Sequence, residues 1–225
     1  MTIRHATATR HANAARTPPS LNSKSLLTAM PIIALDFEAS CLPGHGRSYP
    51  IEVGIADCRG SECWLIRPHE DWLDWDWSEE AERIHRITRD ELLRQGQPVE
   101  TVASALMAAL AGHRVVAGSR IDNYWLHTLT NAAQIPHVAK IEHVENVIDE
   151  LGCSTAEIMD AQAELDRRGY LLHRAQGDAE WTFGLIEVLK QTAARNRSIG
   201  RPAALVPRNS WSNRTQSQNL IGAEF

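Results

Sequence analysis

Residues 32–40 read IIALDFEAS, an unbroken apolar run followed by two carboxylates, Asp36 and Glu38, two positions apart. Such a run predicts a buried strand, an environment in which unpaired charge is costly. Side chains at i and i+2 of a strand leave the same face, about 6.6 Å apart along it. Asp36 and Glu38 therefore address one site together from the end of a core strand. The pair alone is a weak signal, because a DxE with both acids solvated in a turn is common.

Working outward, PIEVGIAD at 50–57 alternates Ile51, Val53 and Ile55 against Glu52, Gly54 and Ala56, which predicts a second strand. ECWLIRP predicts a third, stopped at Pro68. Short connections between the three imply an antiparallel meander. Helices follow: SEEAERIHRI opens on a serine cap with acids in its first turn, and Thr88 with Glu91 makes a capping-box pattern. PVETVASALMAALAG runs from a proline to Gly112 on good helix formers. RVVAG reads as a short buried strand, and DNYWLHTLTNAAQ sets Trp125, Leu126, Leu129 and Ala133 on one side of a helix. The region 138–151 has a weaker signal, readable as strand or helix. TAEIMDAQAELDRRG and DAEWTFGLIEVLKQ complete the set, giving a mixed α/β sheet with helices on its faces.

Two further stretches carry chemistry-bearing residues. Asp122 stands where RVVAG hands over to the following helix, a position equally suited to an acid favoured by the helix dipole. In LLHRAQGDAEWT, His173 and Asp178 are five apart, about 140° around one continuous helix, so they could not converge from it. Gly177, a poor helix-interior residue, predicts that His173 lies in a loop and that the last helix opens at Asp178. A loop histidine can then fold back over a carboxylate in the first turn.

Taken in order, DFE, Asp122 after a short strand, and HRAQGD before a final helix resemble the DEDDh family of 3′-to-5′ exonucleases, of the DnaQ-like, ribonuclease H-like group. ERIHRIT resembles the segment ahead of that family's second motif, and DNYWLHTL resembles the motif's tail. The resemblance covers about residues 31–190. It implies a ribonuclease H-like mixed sheet, three antiparallel strands plus two parallel, with helices on both faces. It implies two divalent cations, Mg²⁺ or Mn²⁺, bound by Asp36, Glu38, Asp122 and Asp178, an oxygen-only set suited to hard ions. Asp36 would bridge both ions, Glu38 and Asp178 would complete the one holding water, and Asp122 would hold the other. His173 would be the general base. Ala39, Ser40 and His85 are candidates for contact with the terminal nucleotide. The implied reaction is hydrolysis at 3′ ends of single-stranded DNA or RNA, releasing nucleoside 5′-monophosphates. Members that trim RNA often look dimeric, which leaves a homodimer open. Two positions depart from the pattern: Ala117 and Gly118 stand where the family often has His-Asn, and Arg86 stands where it has glycine.

Composition sets limits on this reading. Residues 1–30 carry four basic residues and no acid, and 191–225 carry five arginines and one glutamate, leaving 31–190 with a net charge of −13. An acidic domain argues against coating nucleic acid by long-range attraction, but metal ions could reconcile it with gripping a few nucleotides. The polar, aperiodic ends, 1–30 and 191–225, are expected to be flexible tails around one domain, 31–190. Cys41, Cys58, Cys63 and Cys153 form no CxxC pair, which points to free thiols. No stretch reaches the roughly 18 apolar residues of a membrane span, no secretory signal is visible, and a cytoplasmic location is expected. HEDWLDWDWSEEAE holds three tryptophans among acids; packing against the sheet edge is favoured over base stacking or a partner surface. Two competing readings are a catalytically inactive nucleic-acid-binding domain and a phosphatase or other nuclease on the same fold.

Overall fold

The computed structural model describes residues 30–136 and 139–201. The stretch read first forms β1 (Ile32–Ala39), followed by β2 (Pro50–Asp57) and β3 (Gly60–Leu65). Helices α1 (Glu79–His85), α2 (Arg89–Gln95) and α3 (Val99–Leu110) precede β4 (Arg114–Ala117) and α4 (Asp122–Ala132). Then come β5 (Ile141–His143), α5 (Val144–Leu151), α6 (Thr155–Asp166) and the long α7 (Ala175–Ser198). The ambiguous 138–151 region thus contains both a strand and a helix. Helix α7 continues past the expected boundary at 190. The remainder of the two expected tails, 1–29 and 202–225, lies outside the described residues.

The sheet order is β3-β2-β1-β4-β5. β1 pairs antiparallel with β2, and β2 with β3, while β1–β4 and β4–β5 are parallel. This is the mixed α/β sheet of the ribonuclease H-like fold, with β1 at its centre. Ligand crevices in such sheets open at the carboxyl ends of the parallel strands, where the chain direction switches. Here that point is the end of β1, between β2 and β4.

The strand period of two sorts the sheet into unlike faces. Ile33, Leu35 and Phe37 of β1 and Ile51, Val53 and Ile55 of β2 face α3 and α4 in the larger core, with Val102, Leu106, Leu126 and Leu129. The other face of the same two strands carries Ala34, Asp36, Glu38, Glu52, Gly54 and Ala56. That face meets α7, whose Trp181, Leu185 and Leu189 form a second core with α5 and α6. A Cβ at Gly54 would overlap the backbone of Ala175 and Gln176, so glycine is what lets α7 sit directly on β2.

Local chemistry sets the helix starts. Ser78 Oγ accepts the N–H of Ala81 and Thr88 Oγ1 that of Glu91; Ser154 and Glu157 close a full capping box at α6. Trp72 is buried and stacks on Tyr49 at 5.6 Å, with Trp75 and Trp77 partly buried around it. The tryptophan segment packs on Tyr49 and the larger core. All four cysteines are free thiols. No helix among the described residues is long and apolar enough to cross a membrane.

Candidate active site

A register shift interrupts the β1–β2 ladder between Glu38 and Ala39; such bulges re-aim side chains and gather beside functional clefts. Asp36 and Glu38 leave the α7 face of β1 just before it. Asp178, in the first turn of α7, meets them there: one carboxylate oxygen from each of the three lies within 4.8 Å of the others. Asp122 begins α4 at the end of neighbouring β4 and is only 1% exposed. Its Oδ2 has no hydrogen-bond partner among the described residues. These four acids and His173 line one cleft of roughly 860 Å³, open solvent included, with Ala39 and His85 also in its wall.

Burial, then the charges of Asp122, Asp178, Glu38 and Glu52, hold the Asp36 carboxyl well above the ordinary aspartate value. Glu38 is raised too, by burial first and then by Asp178 and Glu52, against a lowering pull from Arg174. Burial raises Asp122 to about 8 despite backbone N–H groups of Ser119 and Phe37 on its carboxylate. Asp178 rises to about 7, again by burial, opposed by the His173 N–H. Such a cluster carries full negative charge comfortably only beside a cation.

His173 sits in the loop before α7 with φ of +62°, an unusual conformation for a non-glycine residue. Its backbone N–H donates to Asp178 Oδ2 at 2.8 Å, tying the histidine to the acid five residues on. The expected helix start is corrected by the structure: α7 opens at Ala175, and Gly177 lies inside its first turn. Glycine is required there because a Cβ would overlap the carbonyl of Leu171.

His85 is 2% exposed, and its Nδ1 accepts the N–H of Ile87 at 3.0 Å. Burial, then the Arg174 charge, pushes it down to about 4, so near neutrality the proton resides on Nε2. That donor has no partner among the described residues. Ser40 is not part of the cleft wall. It is fully buried, and its Oγ accepts from the N–H of Tyr49 at 3.1 Å, so its hydroxyl serves the strand connection. Arg86 caps α1 at φ of +61°. That left-handed conformation favours glycine, and arginine adopts it at a cost of about 1 kcal/mol.

Sequence reasoning missed Glu52 and Arg174. Glu52 is 1% exposed and accepts from Nε and Nη2 of Arg174 and from the N–H of Ala175. Its signal was present, an acid in a strand buried on both faces, but the alternation of β2 disguised it as solvent-facing.

No family model matches the sequence, and no curated protein matches it. Among solved structures, the zinc-ion-bound form of the Escherichia coli exonuclease I complex with single-stranded DNA is similar at a TM-score of 0.57 and 12% identity. The match covers 76% of this chain and 42% of that one. The fold is ribonuclease H-like. A second structure of exonuclease I is similar at a TM-score of 0.54 and 13% identity, covering 76% of this chain and 45% of that one. Exonuclease I of Methylocaldum szegediense gives 0.53 and 12%, covering 76% and 43%. The chain thus spans less than half the length of these proteins, and at such identity the likeness is one of fold.

Proposed function

We propose that this chain is a metal-dependent 3′-to-5′ exonuclease that hydrolyses single-stranded nucleic acid to nucleoside 5′-monophosphates. The observation that carries the reading is the convergence of Asp36, Glu38 and Asp178 within 4.8 Å, in one cleft with Asp122 and His173. The residues fit a pair of Mg²⁺ or Mn²⁺ ions: every candidate ligand atom is a carboxylate oxygen, and a buried Asp122 oxygen stands without a partner. Asp36, Glu38, Asp122 and Asp178 would hold the ions. Bound there, divalent ions supply positive charge to the phosphate and make water more acidic.

The chain's own groups do the rest. His173 takes the proton of the attacking water, the general-base role that a histidine side chain most often fills. Its backbone bond to Asp178 keeps base and acid in fixed relation. The water oxygen bonds to phosphorus, the P–O3′ bond breaks, and the released 3′-oxygen of the shortened strand acquires a proton. The terminal nucleotide keeps its 5′-phosphate. Nε2–H of His85 offers a donor to an oxygen of that nucleotide, and Ala39, Leu42 and Ile84 offer an apolar wall. Similar structures solved with single-stranded DNA, including a dA16 complex, make single-stranded DNA the first substrate to try.

The test is a time course on 5′-labelled single-stranded DNA and RNA of one sequence with Mn²⁺ or Mg²⁺, beside Asp36→Ala. A ladder shortening from the 3′ end in the wild type alone supports the reading. Equal activity of Asp36→Ala, or internal fragments in place of a ladder, sinks it.

A further inference from the structure

Glu52 faces the candidate cation site without being part of it. In the β1–β2 register it stands directly opposite Glu38, and Gly54 opposite Asp36, so all four positions share the α7 face. Like charges directly opposite one another on a sheet repel. Glu52 is nevertheless fully buried. Its two oxygens are occupied by Arg174 Nε at 3.1 Å, by Arg174 Nη2, and by the N–H of Ala175 at 2.9 Å. The last of these satisfies a free N–H at the start of α7, where the cap residue, Arg174 itself, supplies no side-chain bond. The segment it anchors is the one that turns through His173 at positive φ and delivers Asp178 to the cluster.

We propose that Glu52 is a positioning residue: by gripping Arg174 and the first N–H of α7, it holds His173 and Asp178 in the cleft and keeps the Arg174 guanidinium out of the carboxylate cluster. The inference rests on the reading of that cluster as a cation site. Arg174 is already close enough for its charge to act on both Glu38 and His85, and its side chain is about a third exposed. Released from Glu52, it is drawn toward three neighbouring acids and competes there with a divalent ion. Glu52 thus has two separable effects, one on the turn and one on the arginine.

Calorimetric titration with Mn²⁺, without substrate, separates them in wild type, Glu52→Gln, Arg174→Gln and the double variant. Turnover of single-stranded DNA is followed alongside. Glu52→Gln keeps the shape of the side chain and is expected to lose roughly 10–100-fold in Mn²⁺ affinity and kcat, the range typical of groups that orient metal ligands, with KM unchanged. Arg174→Gln should lose less, and the double variant should regain part of the lost affinity because no loose guanidinium remains. Wild-type Mn²⁺ affinity and kcat in Glu52→Gln would overturn the proposal, as would losses in the double variant equal to the sum of the single losses on a logarithmic scale. If circular dichroism shows Glu52→Gln unfolded, Arg174→Gln decides, and unchanged affinity and kcat there overturn it. Failure of the wild type itself to bind Mn²⁺ would instead sink the cation-site reading.

Discussion

Asp122→Asn separates the charge of the cleft from its shape. Asparagine keeps an oxygen for the N–H groups of Ser119 and Phe37 but carries no charge. In the metal-free protein, burial holds the Asp122 carboxyl at about 8, against 3.8 for an ordinary aspartate. Between those values the folded chain keeps a proton that the unfolded chain has released. Stability is therefore greatest below the unfolded value, falls as pH rises through the window, and levels off once the folded carboxyl ionises near 8. One group contributes about 1.4 kcal/mol per pH unit. From pH 5 to pH 7 Asp122 alone removes about 2.7 kcal/mol, or roughly 5–11 °C in Tm for a domain of this size. Asp178, held at about 7 by burial, acts in the same direction in both proteins, so the difference between them reads Asp122 together with the relief of Asp36 and Glu38 from its charge. Urea unfolding in EDTA at pH 5, 6 and 7 reads that difference, and the variant should give the flatter profile. Mn²⁺ added at pH 7 should then stabilise the wild type more than the variant, by mass action on the folded state. Parallel pH profiles in EDTA would refute the view of Asp122 as a buried, uncompensated acid.

Three further outcomes are expected. His173→Ala should lower kcat on a 5′-labelled single-stranded oligonucleotide by roughly 10²–10⁴, with the urea midpoint close to wild type because the partly exposed ring lies outside both cores. His85→Phe keeps an aromatic ring edge-on to Trp77 but removes the Nε2 donor. KM should rise roughly three- to tenfold, one modest hydrogen bond's worth, while calorimetric Mn²⁺ affinity stays at the wild-type value. Gly54→Ala forces a methyl into the backbone of Ala175; denaturation should show a loss of at least about 1–3 kcal/mol, and turnover should fall with it as α7 is lifted from β2.

The acids of β1 were legible because carboxylates at the end of an apolar run contradict their surroundings, and their spacing of two fixes a common face. Asp122 and the His173–Asp178 pair became legible only in company, since each alone suits an ordinary helix start. Glu52 escaped because alternation in β2 mimics a half-exposed strand; only the docking of α7 reveals that both faces are buried. The start of α7 was misread because Gly177 resembles a helix breaker, whereas its glycine answers to a carbonyl from a preceding loop. Ser40 looked available beside the acids, but its hydroxyl is taken up by Tyr49. β5 has three residues, too few for any period to register.

Asp36 and Asp178 stand 142 positions apart in the chain, and the strand that brings Asp122 alongside them, β4, pairs in parallel with β1 across some 80 residues. Contacts of that span form late, after loop closure has been met by other pairings. The β1–β3 meander can form without any cation site, because the third carboxylate of the cluster arrives only with α7. During synthesis, which proceeds from the amino terminus, Asp178 is also the last of the four acids to emerge. The candidate cation site is therefore completed only when α7 docks, and a partly folded or truncated copy that retains only the first three strands carries Asp36 and Glu38 but neither Asp122 nor Asp178.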